Sequence, residues 1–232
     1  MISVIIPVYN EAAFIEDTVR RLREADNQLL VREIIIVDGG SDDHTPAIAA
    51  AAGALVLTSP VKGRAAQMNF GAAKASGNIL YFLHADTLPP GGFTTDIVAA
   101  AGAGFPAGCF MLRFDLPHWF LRLNCWFTQF NVSAFHYGDA SLYVHRDRFT
   151  EAGGFAEDHI VFEDYHLVKA LKSRGSFHII RKAVITSARK YRENGVFKMQ
   201  VIFYFMYLLY RLGLSQQKLL SVYKRLIRQD KL

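Results

Sequence analysis

Short apolar runs alternate with amphipathic stretches along the first half of the chain. The runs rich in branched aliphatic residues, which are typical of buried strands, read ISVIIPVY, EIIIVD, ALVLT and NILYFLHAD. The stretches between them predict helices over residues 13–25, over DDHTPAIAAAAG with Thr45 as its N-cap, and over GRAAQMNFGAAKASG. This alternation predicts an α/β fold, in which a mostly parallel sheet carries helices on both faces.

The second half of the chain is less regular. AGCFMLRFDL, YGDASLYVHR and SFHIIR are predicted strands, and EDYHLVKALKSRG is a predicted amphipathic helix. An apolar stretch, GVFKMQVIFYFMYLLYRLG, and a basic one, KLLSVYKRLIRQDK, then follow. We expect one domain over residues 1–190 and a C-terminal helical segment over residues 191–232.

Composition places the chain among globular proteins, since 51% of its 232 residues are hydrophobic and 20% are charged. The net charge of +5 permits anionic partners such as nucleotides, phosphates or an acidic membrane surface. The two cysteines lack the spacing of a metal cluster, and the start MISVIIPVYNE lacks the basic region of a signal peptide. We therefore expect reduced thiols and a cytoplasmic location.

Polar side chains follow several of the predicted strands. Glu11 comes after the first strand, Asp38 ends the second, and His84 and Asp86 follow the fourth. Ligands of parallel α/β sheets bind outside the carboxyl ends of the strands, so these side chains are expected to share one crevice. Gathered carboxylates favour a cation or sugar hydroxyls between them. A role as turn or helix-capping residues is the alternative.

Five motifs resemble those of family 2 glycosyltransferases with the GT-A fold, in the same order and over nearly the whole chain. They read VIIPVYNE, IIIVDGGSDDHT, KGRAAQMNFGAA, LHADT and FEDYHL. LHADT and a further stretch, TSARKY, also resemble a small subgroup of short bacterial members. The resemblance implies inverting transfer of a sugar from a nucleotide-diphosphate donor to a hydroxyl or a lipid phosphate, with Mg²⁺ or Mn²⁺. The alternative is a protein that binds nucleotide sugars without turnover, because Gly39, His84 and His166 depart from common patterns.

The resemblance also implies roles for single residues on the donor side. Asp86 matches the metal-binding acid of the family's D-x-D motif, and His84 replaces the first acid, so that contact with the ribose or with the metal remains open. Gly39 replaces a second acid after Asp38, which leaves the nucleotide base undecided. The expected donor-binding residues are Pro7, Tyr9, Glu11, Asp38, Lys62, Arg64, His84 and Arg189.

On the acceptor side, the resemblance implies that Asp164 is the catalytic base. Helix capping is the alternative for Asp164 and for its neighbour Glu163. The expected acceptor-side residues are Gly138, Asp139, Ala140 and Glu163.

Residues 201–210 carry no charge but are too few to span a bilayer, which needs about 20 apolar residues. Basic residues follow this stretch, as in helices that lie on a membrane surface. Two predictions stay open for this segment. It contacts the cytoplasmic face of the membrane peripherally, or it forms a helix of the core or of an oligomer contact. We expect no nucleic-acid partner.

Overall fold

A computed structural model describes residues 1–130, 141–175 and 177–228 of the chain. Within these ranges eight strands form one sheet with the order β3-β2-β1-β4-β7-β6-β8-β5. The strands are β1 (Ile2–Val8), β2 (Val31–Asp38), β3 (Leu55–Thr58), β4 (Ile79–Phe82), β5 (Thr87–Leu88), β6 (Ala107–Phe114), β7 (Leu142–His145) and β8 (Phe177–Thr186).

Helices cover both faces of this sheet and continue beyond it. They are α1 (Ile15–Ala25), α2 (Thr45–Ala51), α3 (Arg64–Lys74), α4 (Phe93–Gly102), α5 (Trp119–Trp126), α6 (Arg146–Ala152), α7 (Glu163–Arg174), α8 (Arg189–Asn194), α9 (Val196–Arg211) and α10 (Gln216–Leu226).

The first half of the sheet is parallel, as the sequence predicts. Strand β1 pairs in parallel with β2 and β4, and β2 pairs in parallel with β3. Strand β7 pairs antiparallel with both β4 and β6, whereas β6 and β8 are parallel. The predicted mixed, mostly parallel α/β sheet is therefore confirmed, and the carboxyl ends of β1, β2 and β4 lie along one edge.

The core consists of a layer on each face of the sheet. Along β1, Ile6 packs into one layer and Ile5 into the other, because successive side chains of a strand point to opposite faces. Helix α3 approaches the sheet closely at Gly71, where a Cβ atom would lie 2.7 Å from Cγ2 of Ile5. The buried strands hold the loops at their carboxyl ends in fixed positions.

A third apolar cluster joins helices α8, α9 and α10 to Leu121 of α5. On α9, Met199, Ile202 and Met206 are buried in this cluster. The other side of the helix is open, as the 65% exposure of Val201 shows. Helix α9 thus has a packed face and an exposed apolar face. Among the described residues no helix has the length and apolar character needed to cross a membrane.

Some predicted boundaries differ from the structure. Thr45 is the first residue of α2 and not its N-cap, and its N–H donates to Oδ1 of Asp43 at 2.9 Å. The fourth strand ends at Phe82, and the two residues Thr87–Leu88 form the separate strand β5 against β8. The break between β4 and β5 places His84 and Asp86 in a turn rather than in the strand.

Candidate functional site

Hydrogen bonds tie the loop after β1 to the loop after β2. The N–H of Asn10 donates to Oγ of Ser41 at 2.9 Å, and the N–H of Glu11 donates to Oγ1 of Thr45 at 2.8 Å. Asn10 has a φ of 54°, in the left-handed region that Asn tolerates better than most residues. These bonds fix the backbone from which Glu11 projects.

Asp38 is buried at the end of β2 and organises its own loop. Its carboxylate accepts from the N–H of Gly40 at 3.0 Å and from the hydroxyl of Ser41 at 2.5 Å. The Asp38 carboxylate, which is predicted to bind the donor, therefore already accepts hydrogen bonds that hold the turn.

Gly39, which departs from the family pattern, has a packing reason. A Cβ atom at this position would lie 3.1 Å from Nε2 of Gln67. That amide donates to the carbonyls of Val8 and Val37 at 2.9 and 2.7 Å, so Gln67 joins the ends of β1 and β2. The sequence analysis did not predict a role for Gln67. The pattern that could have indicated it is a polar residue within the Ala-rich face of α3.

A guanidinium connects two of the predicted donor-side carboxylates. Nη1 and Nη2 of Arg189 donate to Oε2 and Oε1 of Glu11, each at 2.9 Å. Nη2 also lies 3.4 Å from Oδ2 of Asp86. The hydrogen bonds to Glu11 raise the pKa of Arg189 above its ordinary value, and Asp86 adds to this effect. The structure thus brings Glu11, Asp86 and Arg189 together.

Asp86 is the candidate metal ligand at this edge of the sheet. Its carboxylate supplies a hard oxygen of the kind that Mg²⁺ and Mn²⁺ bind. Within the part of the chain that the structure describes, no group of three or more His, Cys, Asp or Glu side chains is arranged to hold a metal ion. The charged neighbour of Asp86 that the structure shows is Arg189, whose Nη2 lies 3.4 Å from Oδ2 of Asp86, and metal binding by Asp86 stays a prediction.

His84 lies in the same turn and is half-buried. Its carbonyl accepts from the N–H of Thr87 at 3.1 Å, and the N–H of Leu83 donates to the carbonyl of Ile5 at 3.0 Å. These bonds fix the backbone of His84 beside the end of β1. Its contact with ribose or metal stays a prediction.

The other predicted donor-side residues lie at the rim of the same edge or in β1. Nζ of Lys62 stands 5.7 Å from the ring centroid of Tyr9, at a distance that suits a cation–π contact. Pro7 lies within β1 opposite Val37 of β2. Lys62 and Tyr9 thus contact each other at this rim, whereas Pro7 is part of the sheet.

Helix α7, in the second half of the chain, carries Asp164, whose place beside the other predicted site residues stays a prediction. The helix begins at Glu163, so Asp164 lies in its first turn, where the helix dipole favours the carboxylate. Glu163 is buried, and its Oε1 lies 2.9 Å from Nε of Arg64 at the start of α3. Arg64, a predicted donor-binding residue, is thus paired with a predicted acceptor-side residue. Gly138, Asp139 and Ala140 lie outside the described residues.

Comparison with known proteins agrees with this architecture. The family model described as glycosyl transferase family 2 matches residues 3–144. A mannosyltransferase from Pyrobaculum calidifontis, PcManGT, solved with GDP-Man and Mn²⁺, has a TM-score of 0.69 at 19% identity, over 92% of this chain and 65% of its own. TarS from S. aureus, solved with UDP-GlcNAc, has a TM-score of 0.66 at 15% identity, over 81% and 58%.

Sequence comparison gives shorter matches. An undecaprenyl-phosphate 4-deoxy-4-formamido-L-arabinose transferase of Aeromonas hydrophila subsp. hydrophila is 31% identical over 130 residues, which are 53% of this chain and 40% of that protein. The chain spans less than half the length of the curated relatives that it matches. Because the family model covers more than half of the chain, the protein belongs to glycosyl transferase family 2, and its fold is that of the GT-A glycosyltransferases.

Proposed function

We propose that the protein transfers a sugar from a nucleotide-diphosphate donor to an acceptor oxygen, with inversion at the anomeric carbon. The observation that carries the proposal is the meeting of Glu11, Asp86 and Arg189 at the carboxyl edge of the parallel strands. This is the edge at which α/β sheets bind their ligands. Family membership supports a transferase.

In the proposed reaction Asp164 removes the proton of the acceptor O–H group, which for a lipid phosphate is the P–O–H of its monoanion. The freed oxygen forms a bond to the anomeric carbon, and the bond to the donor diphosphate breaks with its electron pair leaving on the diphosphate. General base help of this kind is typically worth about 10²–10⁴-fold in rate. Lys62 and Arg189 supply positive charge toward the leaving group, where fixed cations stabilise the developing negative charge.

Asp86 is the residue proposed to hold Mg²⁺ or Mn²⁺. A bound divalent cation would neutralise part of the charge on the donor diphosphate. The Mn²⁺ present with GDP-Man in PcManGT supports this choice. The donor base stays open, since PcManGT was solved with GDP-Man and TarS with UDP-GlcNAc.

A lipid phosphate is the proposed acceptor class, and the undecaprenyl-phosphate transferase relative supports it. An exposed apolar face on α5 and α9 fits such an acceptor. The rings of Phe197 and Trp119 lie 6.3 Å apart, and Oη of Tyr204 is 2.7 Å from Oδ1 of Asn124, so the two helices form one continuous surface. The exposed apolar residues of this face are Trp119, Leu123, Trp126, Phe197, Val201, Tyr204, Phe205 and Leu208.

The charge around this apolar face suits an anionic bilayer. Residues 116–130 and 194–228 contain no Asp or Glu. The basic residues in these ranges are Arg122, Lys198, Arg211, Lys218, Lys224, Arg225 and Arg228. Each cation near an anionic membrane surface contributes about 1 kcal/mol to binding. We propose that the segment over residues 191–232 helps to hold the protein on the membrane.

Transfer by an Asp164→Asn variant tests the proposed function. UDP-, GDP- and dTDP-sugars with Mn²⁺ are first screened by thermal shift, because a bound donor raises the melting temperature. With the donor so identified, Asp164→Asn is expected to retain donor binding and to lose transfer, since the amide cannot accept the proton. Parent-like turnover in this variant would remove Asp164 from the base role. Donor binding by the parent without transfer or donor hydrolysis would favour the non-catalytic alternative.

A further inference from the structure

The segment before Asp164 is held by a side chain from the C-terminal helices. The N–H groups of Ile160 and Val161 both donate to Oε1 of Gln216, at 3.1 and 3.0 Å. Gln216 is the first residue of α10 and lies more than 50 residues further along the chain. One amide oxygen therefore fixes two consecutive peptide groups of the loop that leads into α7.

A second contact holds the first turn of α7. Nε2 of His166 lies 2.6 Å from Oη of Tyr210 on α9. The ring of Tyr210 is also 5.1 Å from that of Phe162 and 5.8 Å from that of Tyr165, measured between centroids. Tyr210 thus contacts residues on both sides of Asp164.

The backbone at the start of α7 needs such support. Phe162, the N-cap, has a φ of 62°, which places it in the left-handed region that bulky residues rarely adopt. A strained residue of this kind persists only where the surrounding structure determines its conformation. The contacts from Gln216 and Tyr210 act on the two residues before Phe162, on its ring and on the turn that follows it.

We infer that Gln216 and Tyr210 are positioning residues, which hold the loop and the first turn of α7 so that Asp164 faces the acceptor. The inference rests on the proposed role of Asp164 as the base. It adds that the C-terminal helices are needed for the geometry of the active site, in addition to any contact that they make with a membrane.

Gln216→Ala tests the inference against Gln217→Ala, the matched control, because Gln217 is the exposed neighbour on the same helix. With the donor and acceptor that support transfer by the parent, Gln216→Ala is expected to lower kcat about tenfold or more, since small displacements of a catalytic group cost up to about 10²-fold. The donor KM is expected to change less than twofold. Gln216→Glu, which retains an acceptor oxygen, is expected to restore most of kcat.

A readout without substrate separates this inference from the proposed function. By hydrogen exchange, the amides of Ile160 and Val161 are expected to exchange faster in Gln216→Ala than in the parent, and at the parent rate in Gln217→Ala. Tyr210→Phe removes only the hydroxyl and is expected to lower kcat with an unchanged donor KM, which gives a second test if Gln216→Ala does not fold.

Parent-like exchange and parent-like kcat in Gln216→Ala would overturn the inference. So would an equal loss in Gln217→Ala, because it would show a general loss of stability. An active Asp164→Asn would instead refute the base assignment, while the exchange rates would still decide whether Gln216 holds the loop.

Discussion

Removal of the Arg189 side chain is expected to destabilise the fold, in addition to any effect on donor binding. Arg189→Ala leaves the carboxylate of Glu11, which is only 7% exposed, without its two hydrogen bonds of 2.9 Å. It also removes the cation 3.4 Å from Asp86. A buried charge that loses its partner is destabilising, because neither water nor another charge replaces the lost interaction.

The magnitude follows from burial and bond count. Loss of one partner of a fully buried ion pair costs about 3–5 kcal/mol, and a hydrogen bond to a charged group contributes about 1.5–3 kcal/mol. The Arg189 side chain is 26% exposed, so water reaches part of the pair and the cost lies toward the lower end of these ranges. We expect the free energy of unfolding to fall by about 2–3 kcal/mol, which for a protein of this size lowers Tm by about 4–12 °C.

Arg192 on the same helix provides the matched control. Its Nη2 lies 3.0 Å from Oδ1 of Asp115, but the two side chains are 46% and 39% exposed. Exposed pairs contribute about 0–1 kcal/mol, so Arg192→Ala is expected to lower Tm by less than about 4 °C. Urea unfolding of both variants measures the difference. Equal losses of stability in Arg189→Ala and Arg192→Ala would refute the argument from burial.

Three further predictions concern the metal, pH and the membrane. Asp86→Ala is expected to lose the Mn²⁺-dependent part of donor affinity in a donor titration, whereas His84→Asn keeps it if His84 contacts ribose; unchanged affinity in Asp86→Ala would remove the metal assignment. The pKa of His166 lies below its ordinary value because of partial desolvation of the ring and nearby His159, which together outweigh Asp158. The folded state therefore favours the neutral ring, so the free energy of unfolding falls as the pH drops below the ordinary histidine pKa of about 6.5 and through the lowered pKa of the folded state. Urea unfolding at pH 5 and pH 7 measures this fall, which is expected to be smaller in His166→Gln. The protein is expected to float with anionic liposomes at low salt and to be released by high salt; recovery in the soluble fraction at low salt would contradict membrane binding.

The sequence predicted the position in the fold of those candidate site residues that follow parallel strands. Glu11, Asp38 and Asp86 each come directly after an apolar run, and the sheet brings such positions to one edge. The pairing of Arg189 with Glu11 was not predictable in this way, because it depends on how α8 packs against a loop 178 residues earlier. The need for glycine at position 39 was not predictable either, since it depends on the position of the Gln67 amide above the strand ends.

Helix α9 shows a different limit of sequence reasoning. Apolar residues occur all around this helix, so their spacing did not indicate which face is buried. The structure buries Met199 and Met206 and leaves Val201 and Leu208 open. The buried face is determined by the contacts of α9 with α5 and α10, which cannot be predicted from a local sequence pattern.

The separation of Glu11 and Arg189 has a consequence for synthesis of the protein. A ribosome that adds about 5–20 residues per second needs roughly 10–35 s between the two positions. From the addition of Asp86 until that of Arg189, the nascent chain carries both site carboxylates, Glu11 and Asp86, without the guanidinium that joins them. The segment matched by the family model, residues 3–144, ends before Arg189 is made. A product truncated ahead of α8 therefore keeps the parallel strands yet lacks the cation of its own site, and the site is expected to be among the last parts of the protein to form.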